Sequence, residues 1–371
     1  KDINNDILIS YGYGDGGGGP TREMLETSIR MEKGITGIPK VRQEFAATYF
    51  KELEQRVAGH KLLPTWEGEL YFEYHRGTYT SMARNKRSNR KSELLLMDLE
   101  LAAVMAMPEL SYPAAELDVM WKKVLLNQFH DILPGSSIKQ VYEVTREEYK
   151  ELAEKAAKLL KERLEALTKA GTGITVHNTL GFVRDEAVNL GVCKAAALRD
   201  EAGVLYPVQQ TPEGAVAYVR GIPSKGYKSF ELVDKLEALT FPGTAADEKP
   251  AFTLRDNCLE TPYYRIVVDE QGLLASIYDK ENDREVIREG GRGNLFRMYE
   301  DKPIYYDNWD IDIFYKEKYW DILDVTRMEW TGLGSVRATL ELERSFSNSV
   351  LKQKIHFYAD SRRIEFDTYV N

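Results

Sequence analysis

The chain has 371 residues, 43% of them hydrophobic and 29% charged, with a formal net charge of −9 at pH 7. That length allows two or three domains with their own cores, the acidic balance excludes nucleic acid as the main partner, and no apolar run reaches the roughly 18 residues that span a membrane. Two cysteines, Cys193 and Cys258, exclude a disulfide framework or a Cys-rich zinc site and point to a reducing, cytoplasmic setting.

The chain enters directly on a strand-like run, 6–11, and stops at Asn371 inside an unfinished strand pattern, so both ends read as cut from something larger. A glycine run follows. Pro20, Thr21 and Glu23 then predict a helix start, with proline in the first turn and an acid near the positive end. A second amphipathic helix is expected over about 41–58, and the aromatic run 69–74 reads as extended. From about residue 83 helical periodicity dominates. The stretch 94–107 is apolar on most sides and predicts a well-covered central helix. The stretch 139–170 is long and rich in Lys, Glu, Ala and Leu, with i, i+4 charge pairs, and ends at Gly171. Three long helices with short joins predict an antiparallel bundle.

After Gly171 the texture changes. Short β-rich runs at 173–177, 263–268, 273–278, 338–344, 350–358 and 362–370 are separated by turn residues, and Asp269-Glu270-Gln271-Gly272 is a good hairpin connection. One large antiparallel β-sandwich is the expectation.

Gly12-Tyr13-Gly14-Asp15-Gly16-Gly17 matches G-x-G-x-x-G between a strand and a helix, the context of a dinucleotide-dependent oxidoreductase. The second parallel strand with its terminal acid does not follow, so the run is a flexible turn. It leaves Asp15 as a candidate catalytic carboxylate at a strand's carboxyl end. The segment 73–81 gathers His75, Arg76 and Tyr79 as candidate substrate contacts: tyrosine suits a sugar face and its hydroxyls, and Arg76 could hold a carboxylate in place; an exposed edge with satisfied charges is the plain alternative. The basic run 86–91 reads as solvated surface or a local ion-pair network. Within 304–312, Tyr306, Asp307 and Trp309 combine aromatics with acids, as a carbohydrate site does and as a folded loop over a sheet edge also does.

The stretch Asn127-Gln128-Phe129-His130-Asp131-Ile132-Leu133-Pro134-Gly135 carries most information. The preceding helix shows a stripe of Leu117, Met120, Trp121, Val124, Leu125 and Gln128. His130 projects on the opposite side, with Asn127 beside it. A surface His-Asp pair and a metal or sugar-hydroxyl site are both compatible with this pattern. His60, His177 and His356 read as structural, and no complete local metal motif is present.

Taken together, the blocks at 11–21, 73–81, 127–136 and 305–311, in that order, resemble glycoside hydrolase family 38 α-mannosidases of the cytosolic and bacterial type. The resemblance implies an α+β multidomain chain. Its expected parts are a remnant of an α/β catalytic domain (1–82), a three-helix bundle (83–171) and an incomplete β-sandwich of galactose-mutarotase type (172–371). It implies a retaining, zinc-dependent hydrolysis of terminal α-linked mannose from oligosaccharides. It also makes His130 a zinc ligand, Asp131 a contact to substrate hydroxyls, and Asp15 part of the acid/base region. Other branches carry a second carboxylate where this chain has Gly16. The nucleophile and the remaining zinc ligands are expected upstream of Lys1, so the fragment alone is expected to be inactive. A homo-oligomeric parent is compatible with this reading. The competing class is a non-catalytic carbohydrate-binding or interaction module on the same scaffold.

Overall fold

The computed structural model describes residues 3–14, 17–34, 36–68, 74–168, 171, 173–234 and 251–371. It divides into two compact units, Lys1–Leu70 and Tyr71–Asn371. The first holds helices α1 (Arg22–Glu32) and α2 (Ala46–Val57). Thr21 caps α1 by accepting from the Met24 amide at 3.3 Å, as its place before the first turn predicts. The expected second helix begins later than anticipated, at Ala46. The expected strand at 6–11 is extended but belongs to no sheet. A strand needs a neighbour's hydrogen bonds to be completed, and no described residue supplies them. Ahead of α1, the chain folds back so that the Tyr13 amide donates to the Gly19 carbonyl at 3.1 Å. Gly12 is required there: its φ is +124°, and a Cβ would lie 2.9 Å from the backbone of Gly19. Asp15 and most of the 69–74 run lie outside the described residues.

The second unit opens with α3 (Ala83–Met105), α4 (Ala114–Asn127) and α5 (Lys139–Ala166). They share a core of Leu96, Leu99, Leu117, Met120, Val124 and Leu152. Helix α3 is less covered than its apolarity predicts. Leu94, Met97 and Val104 lie at i, i+3 and i+10 and are exposed, so only one stripe of the helix faces its partners. In α4 the predicted stripe holds at Leu117, Met120 and Val124 and fails at Leu125, which is 60% exposed.

Strands β1 (Ile174–Asn178), β2 (Arg184–Gly191), β3 (Ala197–Asp200), β4 (Leu205–Thr211), β5 (Gly214–Ile222) and β6 (Gly226–Val233) form a six-stranded antiparallel sheet. Its order is β1-β6-β3-β4-β5-β2, over its own core of Leu198, Val219 and Phe230. Next comes a five-stranded meander of β7 (Thr253–Arg255), β8 (Cys258–Glu260), β9 (Tyr264–Val268), β10 (Leu274–Asp279) and β11 (Arg284–Glu285). The predicted turn joins β9 to β10, with Gly272 at φ +67° and the Asp269 carboxylate accepting from the Gln271 and Leu273 amides.

The pair β12 (Arg297–Tyr299) and β13 (Tyr319–Asp321) precedes a four-stranded sheet of β14 (Val325–Thr331), β15 (Arg337–Phe346), β16 (Ser349–Tyr358) and β17 (Ile364–Val370). The five- and four-stranded sheets bury Leu259, Ile266 and Leu274 against Leu340, Ile355 and Phe357. The β-region is therefore two bodies, a six-stranded sheet and a facing pair, where the sequence suggested one. Period-2 patterning reveals strands but not which strands pair. The bodies meet at Gln209, 6% exposed, whose amide group acts like a piece of strand backbone. Its Oε1 accepts from the Val336 and Arg337 amides at 2.9 and 2.8 Å, while Nε2 donates to the Arg337 carbonyl at 2.8 Å.

Candidate functional site

Three of the four sequence blocks converge on one short segment. Residues Gly77–Tyr79 form a single 3-10 turn. On one side, the Gly77 amide donates to the Trp309 carbonyl at 2.7 Å, and the Ser81 hydroxyl donates to the Asn308 carbonyl at 3.0 Å. Side chains follow the backbone. His75 meets Trp309 edge-to-face at 5.0 Å between centroids, and Tyr74 meets Tyr306 at 5.6 Å. A Cβ on Gly77 would stand 3.1 Å from the Trp309 and Asp310 backbones, so glycine permits this approach.

On the other side lies the turn carrying His130. Helix α4 ends at Asn127, and the chain winds on through Ile132 N–H to Phe129 C=O at 2.8 Å and Gly135 N–H to Ile132 C=O at 3.2 Å. Gly135, at φ +97°, packs where a Cβ would come within 2.8 Å of Ser81. Lys86 bolts the two segments together: its ammonium donates to the carbonyls of Ser81 and Leu133, the latter at 2.7 Å. Burial lowers its pKa, since only neutral carbonyls face the charge. The basic run therefore hides one structural cation at its head.

His130 itself is open, with 73% of its side chain exposed and Nε2 3.6 Å from Asp131 Oδ2. Its ring rests on Phe129 at 4.2 Å. The backbone beneath it is held from α5 and the Ser pair. Tyr142 Oη donates to the Ile132 carbonyl and accepts from the Ser137 amide, both at 3.0 Å, and Ser137 Oγ donates to the Asp131 carbonyl at 2.5 Å. Asn127 does not accompany His130 to the surface. It is buried and donates to Glu148 at 3.1 Å. Beside it Gln128 bonds Asn89 at 3.1 Å and Glu93 at 2.8 Å, and burial with those acids pushes the Tyr149 phenol up to about 12. A polar floor thus fixes the end of the three helices under an exposed imidazole and carboxylate.

Among the expected sugar contacts, His75, Tyr79, Tyr306 and Trp309 border this junction, and Arg76 and Asp307 are exposed beside it. Among the described residues no group of three or more His, Cys, Asp or Glu side chains could surround a metal. His130 and Asp131 supply at most a corner of such a site. Sequence reading missed Lys86, Tyr142 and Ser137. Their signals were weak: a lysine five residues after Ser81, and a Ser pair after the Pro-Gly turn. No described helix is long and apolar enough to cross a membrane.

The comparisons with known proteins agree with the order of these blocks. The Glycosyl hydrolases family 38 N-terminal domain matches residues 1–69, the Alpha mannosidase middle domain 73–167, and the family 38 C-terminal domain 259–371. Alpha-mannosidase 2C1 of Homo sapiens is 32% identical over 325 residues, covering 84% of this chain and 28% of its own length. Alpha-mannosidase G of Dictyostelium discoideum is 29% identical over 412 residues, covering 100% of this chain and 37% of itself. The chain thus spans about a third of these relatives. An alpha-mannosidase from Enterococcus faecalis V583 superposes with a TM-score of 0.61 at 16% identity, over 95% of this chain and 48% of that one, a likeness of fold. With all three of the family's domain models matched in order along its length, the chain belongs to glycoside hydrolase family 38.

Proposed function

We propose that this chain is part of a zinc-dependent, retaining α-mannosidase that removes terminal α-linked mannose from oligosaccharides in the cytoplasm, and that the 371 residues alone do not turn substrate over. In this reading α3–α5 are the family's three-helix bundle between a catalytic-domain remnant (1–82) and a sandwich of galactose-mutarotase type. The observation that carries it is the convergence of 74–81, 129–136 and 305–312 on one junction that leaves His130 and Asp131 open to solvent. His130 would be one metal ligand, with the others supplied by parts of the parent beyond these residues. Bound there, a divalent cation would act as a Lewis acid toward vicinal hydroxyls of the sugar. Asp131 would accept from a sugar hydroxyl. His75, Arg76, Tyr79, Tyr306, Asp307 and Trp309 would orient the ring, the aromatics through its apolar face. A retaining mechanism needs two carboxyls about 5–5.5 Å apart; Asp15 is the candidate for the acid/base, and the nucleophile lies elsewhere in the parent.

The test is His130→Ala in the full-length protein. Loss of bound zinc with at least about a hundredfold loss of α-mannoside hydrolysis, at unchanged melting temperature, is the expected result. Sugar affinity that resides at 304–312 and ignores both zinc and the substitution would replace the enzyme reading with a binding module. Robust hydrolysis of an aryl α-mannoside by the purified 371-residue chain would overturn the claim that it is inactive alone.

A further inference from the structure

A cavity lies away from the His130 turn, on the outer face of the four-stranded sheet. In β16, Ile355 and Phe357 point into the core, which leaves Lys354, His356 and Tyr358 on the opposite face. The register places Arg337, Thr339 and Glu341 of β15 on that face beside them, with Glu365, Asp367 and Tyr369 of β17 on the other side. The six-stranded sheet contributes the facing wall through Glu186, Asn189 and Glu213. The resulting cleft is about 600 Å³. A second hollow of about 260 Å³ shares Lys354 and Asp367 with it and runs on to Lys352 and Tyr369. Together they make one trough along the sheet.

Its charges cancel by pairs, some across the walls and some along one sheet. Arg363 meets Glu186 at 2.6 Å, Lys354 meets Glu213 and, at 3.6 Å, Glu341, and Lys352 meets Glu343 at 3.4 Å. Burial, and then the nearby Arg337, hold the His356 imidazole down to about 4, so it is neutral at pH 7, with Nδ1 2.9 Å from the Thr339 hydroxyl. Three features remain unused. Arg337 Nε–H is buried without an acceptor. Asp367 has no ion pair among the described residues, and Tyr369 is 59% exposed. An anion would have to displace glutamates from their cations. No described group of three donors could hold a metal, and the polar walls do not suit a lipid chain.

We propose that this trough is a second saccharide site, taking a short neutral oligosaccharide along β17. Each sugar hydroxyl both donates and accepts, so it can use the spare lone pairs of the paired carboxylates and the spare N–H groups of the arginines without breaking an ion pair. Asp367 accepts from a sugar hydroxyl, and the Tyr369 ring receives a sugar's apolar face. The trough lies within the usual size range of small-molecule sites. The inference is independent of the role given to His130, because no residue is shared.

The purified 371-residue chain is titrated with mannotriose and with maltotriose, followed by saturation-transfer NMR and calorimetry, with trigalacturonate as the anionic control. At least one neutral trisaccharide is expected to bind. Tyr369→Ala and the near-isosteric Asp367→Asn should each weaken binding by about fivefold or more with unchanged melting temperature, while His130→Ala changes it less than about twofold. Three results would overturn the proposal. One is no binding of either neutral sugar at about 10 mM, and another is tighter binding of trigalacturonate. The third is binding abolished by His130→Ala yet indifferent to Asp367→Asn, which would assign the sugar to the His130 turn alone.

Discussion

Helix α1 of the first unit and helices α3 to α5 of the second differ in what holds them. Helix α1 has the local devices: a threonine N-cap, an acid in its first turn, and Arg22–Glu26 and Arg30–Glu26 pairs one turn apart. It buries no side chain, nor does α2, and Phe45 and Trp66 near them are 84% and 70% exposed. Helices α3, α4 and α5 have no side-chain cap bond, yet they enclose Leu96, Leu99 and Val124 completely. Capping and charge pairs are worth tenths to about 1 kcal/mol each, whereas burial of an amphipathic face supplies most helix stability in proteins. The contrast teaches that a capped helix start and a buried core are separate sources of helix stability in this chain.

The sharpest way to break that comparison is to cut into both units alike. Leu99→Ala removes a fully buried side chain from the centre of the helical core. It should cost about 3–5 kcal/mol in urea unfolding of the second unit. Phe45→Ala removes a larger side chain and should cost less than about 0.5 kcal/mol. Equal costs would mean that Phe45 is covered in solution and that the first unit has a core after all.

Next in size is an acid effect confined to the second unit. His356 is 7% exposed, and its pKa falls from 6.5 to about 4 on folding. Between those values the unfolded chain binds a proton that the folded chain refuses, so stability falls as pH drops from 6.5 to 4. The loss approaches about 3 kcal/mol at the lower end. His356→Gln should flatten that slope while lowering stability at pH 7, where the Thr339 contact is altered. An identical pH slope of melting temperature in wild type and variant would remove His356 as the cause. Smaller again is Lys86→Met, which deletes the bonds joining Ser81 to Leu133. A cost of about 1–2 kcal/mol is expected, with faster amide exchange in 129–135 and none in β15 or β16.

The same contrast explains what could be read in advance. The helices of 83–171 and the strands near 264, 274, 340, 355 and 366 were legible because periodicity is local. Helix α3's exposed side was not, because Leu94 and Met97 look the same in sequence whether or not a neighbour covers them. The two β bodies are joined at Gln209, an ordinary strand residue by type whose partners lie more than 120 positions away. At the candidate site His130 and Asp131 stood out by type, and Gly135 by its turn. Lys86 and Tyr142 were invisible because they act on backbone carbonyls, which any sequence offers everywhere. Asn127 looked like a surface neighbour of His130 by spacing alone, and burial against Glu148 decided otherwise.

The smallest effect tests the first unit on its own terms. Thr21→Ala removes the acceptor for the Met24 amide and leaves the charge pairs of α1 in place. If α1 is a locally stabilised helix, amide exchange at residues 23–26 should speed up by the equivalent of about 0.5–1 kcal/mol. The cooperative transition of the second unit should not move, because the bond removed lies within α1. A shift of the main melting temperature would show that α1 is coupled to a larger cooperative core. The exposure of its apolar face would then describe an interface and not a free surface.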